Sequence, residues 1–160
     1  MSFSKDDGSL MTNSPFDAVP VHVDPADVPW LLLHPSLPGI RVKYLRLDPA
    51  GGEMVSLLSM PVGASVPRHH HTGSVTVYTL QGKWRYLEHD WIATPGSVVW
   101  EPAGSTHRPE MLESATGVVI TLNIMRGSLE VLNRHGDVVA VENCETALVR
   151  QRTVANDISR

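Results

Sequence analysis

GASVPRHHHTGSVTVYTLQG, residues 63–82, sets three consecutive histidines ahead of an alternating run and closes on glycine. A second segment, GSVVWEPAGSTH at 96–107, likewise opens on glycine and ends a short β-run in histidine. In an extended strand alternate side chains share a face, so His69 and His71 point together while His70 points the other way. Two imidazoles on one face make half of a metal site. The remaining histidines, His22, His34, His89 and His135, stand singly near turns and read as solvated.

Working outward, short runs rich in Val, Leu, Ile, Thr and Tyr alternate with Pro/Gly turns. RVKYLRLD, EMVSLLSM, VTVYTL, WRYLE, SVVW and GVVITLNIM read as strands, and LEVLN joins VVAVE through a hairpin turning at Gly136. Eight to ten short strands of this kind describe an antiparallel barrel or sandwich of jelly-roll type. Residues 142–156 suit one amphipathic helix instead. Residues 1–17 read as a flexible arm and 18–160 as one domain, the usual size for a chain of 160 residues. With 42% hydrophobic and 19% charged residues the composition is that of a globular protein. A net charge of -4 leaves no basic footprint for nucleic acid or an anionic membrane. Cys144 is the single cysteine, so an internal disulfide and every multi-cysteine zinc pattern are excluded. Any metal site must be built from His and carboxylates. The longest apolar stretches, such as MVSLLSMPV at 54–62, are far shorter than the roughly 20 residues of a membrane-spanning helix. The polar, acidic start of the chain lacks a signal-peptide pattern, and the expected compartment is the cytoplasm.

The two glycine-to-histidine segments resemble the motifs of the RmlC-like cupin superfamily. Gly63, His69, His71 and Gly82 fall in register with its first motif, and Gly96, Pro102, Gly104 and His107 with its second. Val75 (or Thr76, under looser spacing) stands where the first motif carries a glutamate ligand, and Met111 where the second carries asparagine. The resemblance implies an all-β, single-domain cupin, a double-stranded β-helix or jelly-roll barrel, with the helix packed outside. It further implies a metal held by His69, His71 and His107. Imidazoles suit Fe(II), Zn, Cu and Ni, whereas Mg and Ca prefer oxygen-rich cages.

Within the superfamily the three-His pattern resembles acetylacetone dioxygenase and 2,4'-dihydroxyacetophenone dioxygenase. It implies an Fe(II) dioxygenase that takes O2 and cleaves a carbon–carbon bond of a small β-diketone or α-hydroxyketone; Zn, Ni or another divalent transition metal is an alternative occupant. Three neutral ligands leave the ion its full charge, which suits chelation of an anionic bidentate substrate. Glu101, six residues before His107, matches a carboxylate that orients a metal-bound imidazole. Glu88, in RYLE, is a candidate fourth ligand. Arg85 is a candidate partner for substrate oxygens, although alternation sends it to the face opposite Trp84 and Tyr86, and the aromatic residues inside is the favoured arrangement. Tyr78, Trp84, Tyr86 and Trp100 are the candidate pocket residues, while Leu58, Met60 and Val77 read as core.

Two rivals stand beside the dioxygenase. One is a regulatory module like the cupin half of zinc-dependent anti-sigma factors; their separate N-terminal Cys/His zinc domain has no counterpart in the first 40 residues, which hold no Cys and only His22 and His34. The other is a non-oxidative cupin isomerase or lyase. Because the apolar VPWLLL at 28–33 has little chain before it to cover it, a homodimer or homotetramer is expected.

Overall fold

The computed structural model describes residues 20–64 and 66–158; the arm expected over 1–17 lies outside them. Twelve strands run in chain order: β1 Leu31–Leu32, β2 Arg41–Asp48, β3 Glu53–Pro61, β4 His69–His71, β5 Val75–Gln81 and β6 Lys83–Tyr86. After these come β7 Val98–Glu101, β8 Thr106–His107, β9 Pro109–Glu113, β10 Val118–Arg126, β11 Leu129–Leu132 and β12 Val138–Glu142. A 3-10 turn, Pro25–Asp27, precedes the strands and helix α1, Cys144–Ile158, follows them. The helix starts two residues later than expected because Glu142 is the last residue of β12. Asn143 caps it, its side-chain oxygen accepting from the Glu145 and Thr146 N–H groups. None of the described helices is long and apolar enough to cross a membrane.

Every strand pairing is antiparallel. Six strands form one sheet in the order β1-β2-β3-β10-β5-β7, four form a second in the order β12-β11-β4-β8, and β6 pairs with β9. This is the expected all-β jelly roll. The extra strands beyond the expected count are the short ones, such as the two-residue β8, which carry no alternation to read. Core formation follows strand parity: in β10, Val119, Thr121, Asn123 and Met125 are buried, and Ile124 between them is exposed. Registers extend these inward positions into rows across the sheet, one running Tyr44–Ser56–Asn123–Val77–Val99 and the next Met54–Met125–Val75–Glu101. Gly82 turns β5 into β6 at φ +81°, and a Cβ there would sit 2.9 Å from Val119 Cγ2, so only glycine fits.

Helix α1 is tied to the barrel by a part-buried cluster. Arg150 donates from both terminal nitrogens to Glu142 at 2.8 Å, and its Nη1 also reaches the Tyr44 hydroxyl, which donates to Glu142. Burial and the Glu142 carboxylate hold that hydroxyl protonated, above its ordinary range. Removing one member leaves the others without partners in a poorly solvated place. Arg150→Leu should therefore lower unfolding stability in urea by about 2–4 kcal/mol, and adding Glu142→Gln should recover part of the loss.

Candidate metal centre

The sequence HHH forms β4 with the burial order buried, half-buried, buried, so His69 and His71 face inward as their spacing required. His70 faces out, its Nδ1 3.0 Å from Thr106 Oγ1. The Cα of His69 lies opposite His107 across the β4–β8 pair, which joins the two motifs in space. Gly104 makes that approach tight: at φ +85° it lets its own N–H donate to His71 O at 2.8 Å, while His71 N–H donates back to Ser105 O at 2.9 Å. The three imidazole centroids are 4.7–5.0 Å apart, and one ring nitrogen from each lies within 4.8 Å of the others.

His69 Nδ1 lies 3.0 Å from Pro67 O, a group that can only accept, so Nδ1 carries the proton and Nε2 keeps its lone pair. His71 Nδ1 and His107 Nε2 are buried with no hydrogen-bond partner. Buried polar atoms left in this state are costly unless something fills the space between them, and nitrogen donors around one point suit a transition metal. The residues fit the ion. Burial pushes His69 down to about 3, helped by the neighbouring His71 and His107. Burial also pushes His107 down to about 4, against the pull of Glu101. Both rings are therefore neutral at pH 7, the form that binds metal.

Glu101 lies at the centre of the cluster. Its Oε2 is 2.9 Å from His71 Nε2 and 3.4 Å from His107 Nε2, and its Oε1 accepts from the Tyr86 hydroxyl. Burial acts to raise its pKa, but hydrogen bonding and charge from His71, then the charge of His107 and the Tyr86 bond, bring it below the ordinary value. The Cα partner of Glu101 on β5 is Val75, the position where the motif's glutamate is missing. A carboxylate is thus supplied from the neighbouring strand. Tyr86 also stacks on His107, with centroids 3.8 Å apart.

Glu88, Tyr78 and Trp100 lie elsewhere than expected, and Arg85 lies where alternation put it. Glu88 is no ligand: β6 ends at Tyr86, the chain turns outward, and exposed Glu88 accepts from the Arg108 N–H at 3.0 Å. Arg85 lies outside, paired to Glu110 at 2.8 Å, while Trp84 and Tyr86 are inside, as alternation favoured. Tyr78 and Trp100 are 40% and 65% exposed, because Val77, Thr79 and Glu101 take the inward phase of their strands. Trp100 instead borders an outer groove of about 570 Å³ beside Trp91 and His107. The inner cavity, about 310 Å³, is lined at the metal centre by His69, His71, Glu101 and Tyr86 and elsewhere by residues that include Met54, Met60, Met111, Met125 and Arg150. Sequence reasoning missed Ser56 and Asn123 on its wall; an asparagine at an inward position of VVITLNIM was the available signal.

Comparison with known proteins gives the following. Residues 18–126 match the family described as the ChrR Cupin-like domain. No curated protein matches the chain. The solved structure of an RmlC-like cupin protein from Ralstonia eutropha is 41% identical with a TM-score of 0.83, covering 90% of this chain and 92% of that one. An acetylacetone dioxygenase from Acinetobacter johnsonii is 16% identical with a TM-score of 0.70, covering 94% of this chain and 97% of that one, a likeness of fold alone. A chain in the structure of Rhodobacter sphaeroides SigE in complex with the anti-sigma ChrR is 25% identical with a TM-score of 0.52, covering 64% of this chain and 51% of that one.

Two outcomes test the centre. Metal content should fall strongly in His69→Ala, His71→Ala and His107→Ala and stay near wild type in His70→Ala; retained metal in His107→Ala would remove it from the ligand set. For the metal-free protein, the unfolded histidines titrate near 6.5 and the folded His69 and His107 only near 3 and 4. The unfolded chain takes up protons first as pH falls, so stability should be level above about pH 7 and decline from about 6.5 towards 4. Melting temperature against pH reads this directly.

Proposed function

The chain belongs to the ChrR Cupin-like domain family, and on that premise we propose that it is an Fe(II)-dependent dioxygenase cleaving a carbon–carbon bond of a small β-diketone or α-hydroxyketone. The observation that carries this reading is the donor set: three imidazoles with no ligating carboxylate on β5, two of them, His69 and His71, opening on a largely apolar cavity. When bound there, iron would act as a Lewis acid towards the two oxygens of an enolised ketone and as the redox partner of O2.

The remaining work falls to this chain's own residues. His69, His71 and His107 hold the ion. Glu101, anchored by the Tyr86 hydroxyl, orients the imidazole of His71 through Nε2 and balances part of the charge. Trp84, Met111 and Val77 keep bulk water from the cavity, and exclusion of water strengthens every charge interaction inside it. Tyr86, stacked on His107, holds that ring in place. No protein nucleophile is required. The fold shared with the acetylacetone dioxygenase supports the reading, and the chemistry rests on the donor set.

A regulatory module is the second reading, favoured by the family's likeness to ChrR. One experiment separates them. The Fe(II) protein, given a panel of diketones and hydroxyketones, should consume O2 in step with substrate while the zinc form consumes none. Absence of uptake with the whole panel turns the assignment to regulatory or non-oxidative chemistry. Val75→Glu should tighten metal binding, since it adds an anionic donor beside Glu101, and should cut turnover at least tenfold by occupying a substrate position.

The proposal includes a homodimer or homotetramer. The outer face of the six-stranded sheet exposes Tyr78, Leu80, Val98, Trp100 and Ile124, an apolar surface that assembly would cover. Sedimentation at micromolar concentration should give a species larger than 17.5 kDa; a monomer alone would count against it.

A further inference from the structure

The inner cavity has a second polar pole that the metal centre does not use. Ser56 and Asn123 are Cα partners across β3 and β10, both point inward, and they are only 3% and 9% exposed. Both line the cavity among the methionines. Asn123 Nδ2 donates to Thr121 O at 3.2 Å and to Thr121 Oγ1 at 2.9 Å. Because a backbone carbonyl can only accept, these bonds fix the amide: Nδ2 is turned to Thr121 and Oδ1 is turned away from it. Among the described residues Asn123 Oδ1 and Ser56 Oγ make no side-chain hydrogen bond, and neither is sealed off as the unpartnered atoms of the metal centre are, so both stay open to the cavity.

A hydroxyl and an amide oxygen side by side in an apolar space cost free energy unless a donor reaches them. The inward positions of β10 are Val119, Thr121, Asn123 and Met125, and the two polar ones differ: Thr121 Oγ1 is engaged by Asn123 Nδ2, which leaves Asn123 Oδ1 to face the cavity. The distance from the metal centre follows from the register. Asn123 is in the row containing Val77 and Val99, one row from Val75 and Glu101. Two strand spacings and two residues of rise place its Cα about 12 Å from that of Glu101. A ligand with its head at the histidines would lay an apolar body along Met54, Met125 and Val77 and bring its far end to Ser56 and Asn123.

We propose that Ser56 and Asn123 are specificity-determining residues that accept a hydrogen bond from a hydroxyl or amine at the far end of an otherwise apolar ligand. This deepens the functional reading above and rests on its assignment of the cavity to substrate. The substrate is then larger than a five-carbon diketone and carries a donor remote from its chelating oxygens. A site that selects by a buried hydrogen bond rejects the analogue lacking it, since the acceptors are left bare when the wrong molecule enters.

The test needs no turnover. 4-Propylphenol and propylbenzene share one apolar body and differ by one donor, and calorimetry on the protein as purified measures the binding of each. Wild type should prefer the phenol by about tenfold, the worth of one net buried hydrogen bond. Ser56→Ala and Asn123→Leu should each reduce that preference to threefold or less and leave propylbenzene binding unchanged or tighter. Ser56→Ala removes only one oxygen and keeps the test open if Asn123→Leu does not fold. Equal binding of the two probes to wild type, binding of neither, or a preference retained in Ser56→Ala would overturn the proposal and leave the pole to ordered water. Failure of O2 consumption by the iron form is a separate result, because the preference is read without metal chemistry.

Discussion

The pairing of β4 with β8 is the contact on which the centre depends. The strands are three and two residues long, too short to stand alone, and they are held because β11 pairs with the other edge of β4 and the Pro102–Ser105 turn closes beside it. Sheet closure therefore sets the distance between His69 and His107. A slip of one residue in β4 would put His70 inside and His69 and His71 outside, so register and ligand identity are one constraint. The turn chemistry at Gly104 protects it.

Electrostatics follow from that placement. Burial deprives the imidazoles of His69 and His107 of the solvation a charged ring would need, so these two wait in the neutral state that a metal requires. One carboxylate, Glu101, shares the enclosure and is held by Tyr86. The cluster thus brings a single formal negative charge to a divalent ion. The apolar walls keep the remaining charge effective over several ångströms.

Much of this was legible in the sequence because strand parity is a rigid rule. His69, His71 and their outward neighbour His70 are separated by parity alone, and Trp84 and Tyr86 are separated from Arg85 in the same way. Parity failed where a strand end could not be seen: Glu88 is in phase with Tyr86, but the strand has already stopped. Tyr78 and Trp100 suit a pocket chemically but stand out of phase, and their buried neighbours Val77 and Glu101 show that phase decides. The Tyr44–Glu142–Arg150 cluster was invisible for another reason. Its members are about 100 residues apart at the extreme, and no local pattern reports a contact of that range.

The methionine lining carries a consequence for durability. Met54, Met60, Met111 and Met125 give the cavity soft, adaptable walls, and they also set four thioethers in the chamber that adjoins the metal centre. Oxidants generated at an iron there would meet sulfur before they met solvent. Each sulfoxide formed would add a polar oxygen to a wall that holds apolar molecules, shrinking the space and weakening the core at once. Since these residues are buried, repair enzymes would reach them only after local opening. Under the proposed oxygen chemistry, the side chains that shape the cavity would then also set its working lifetime.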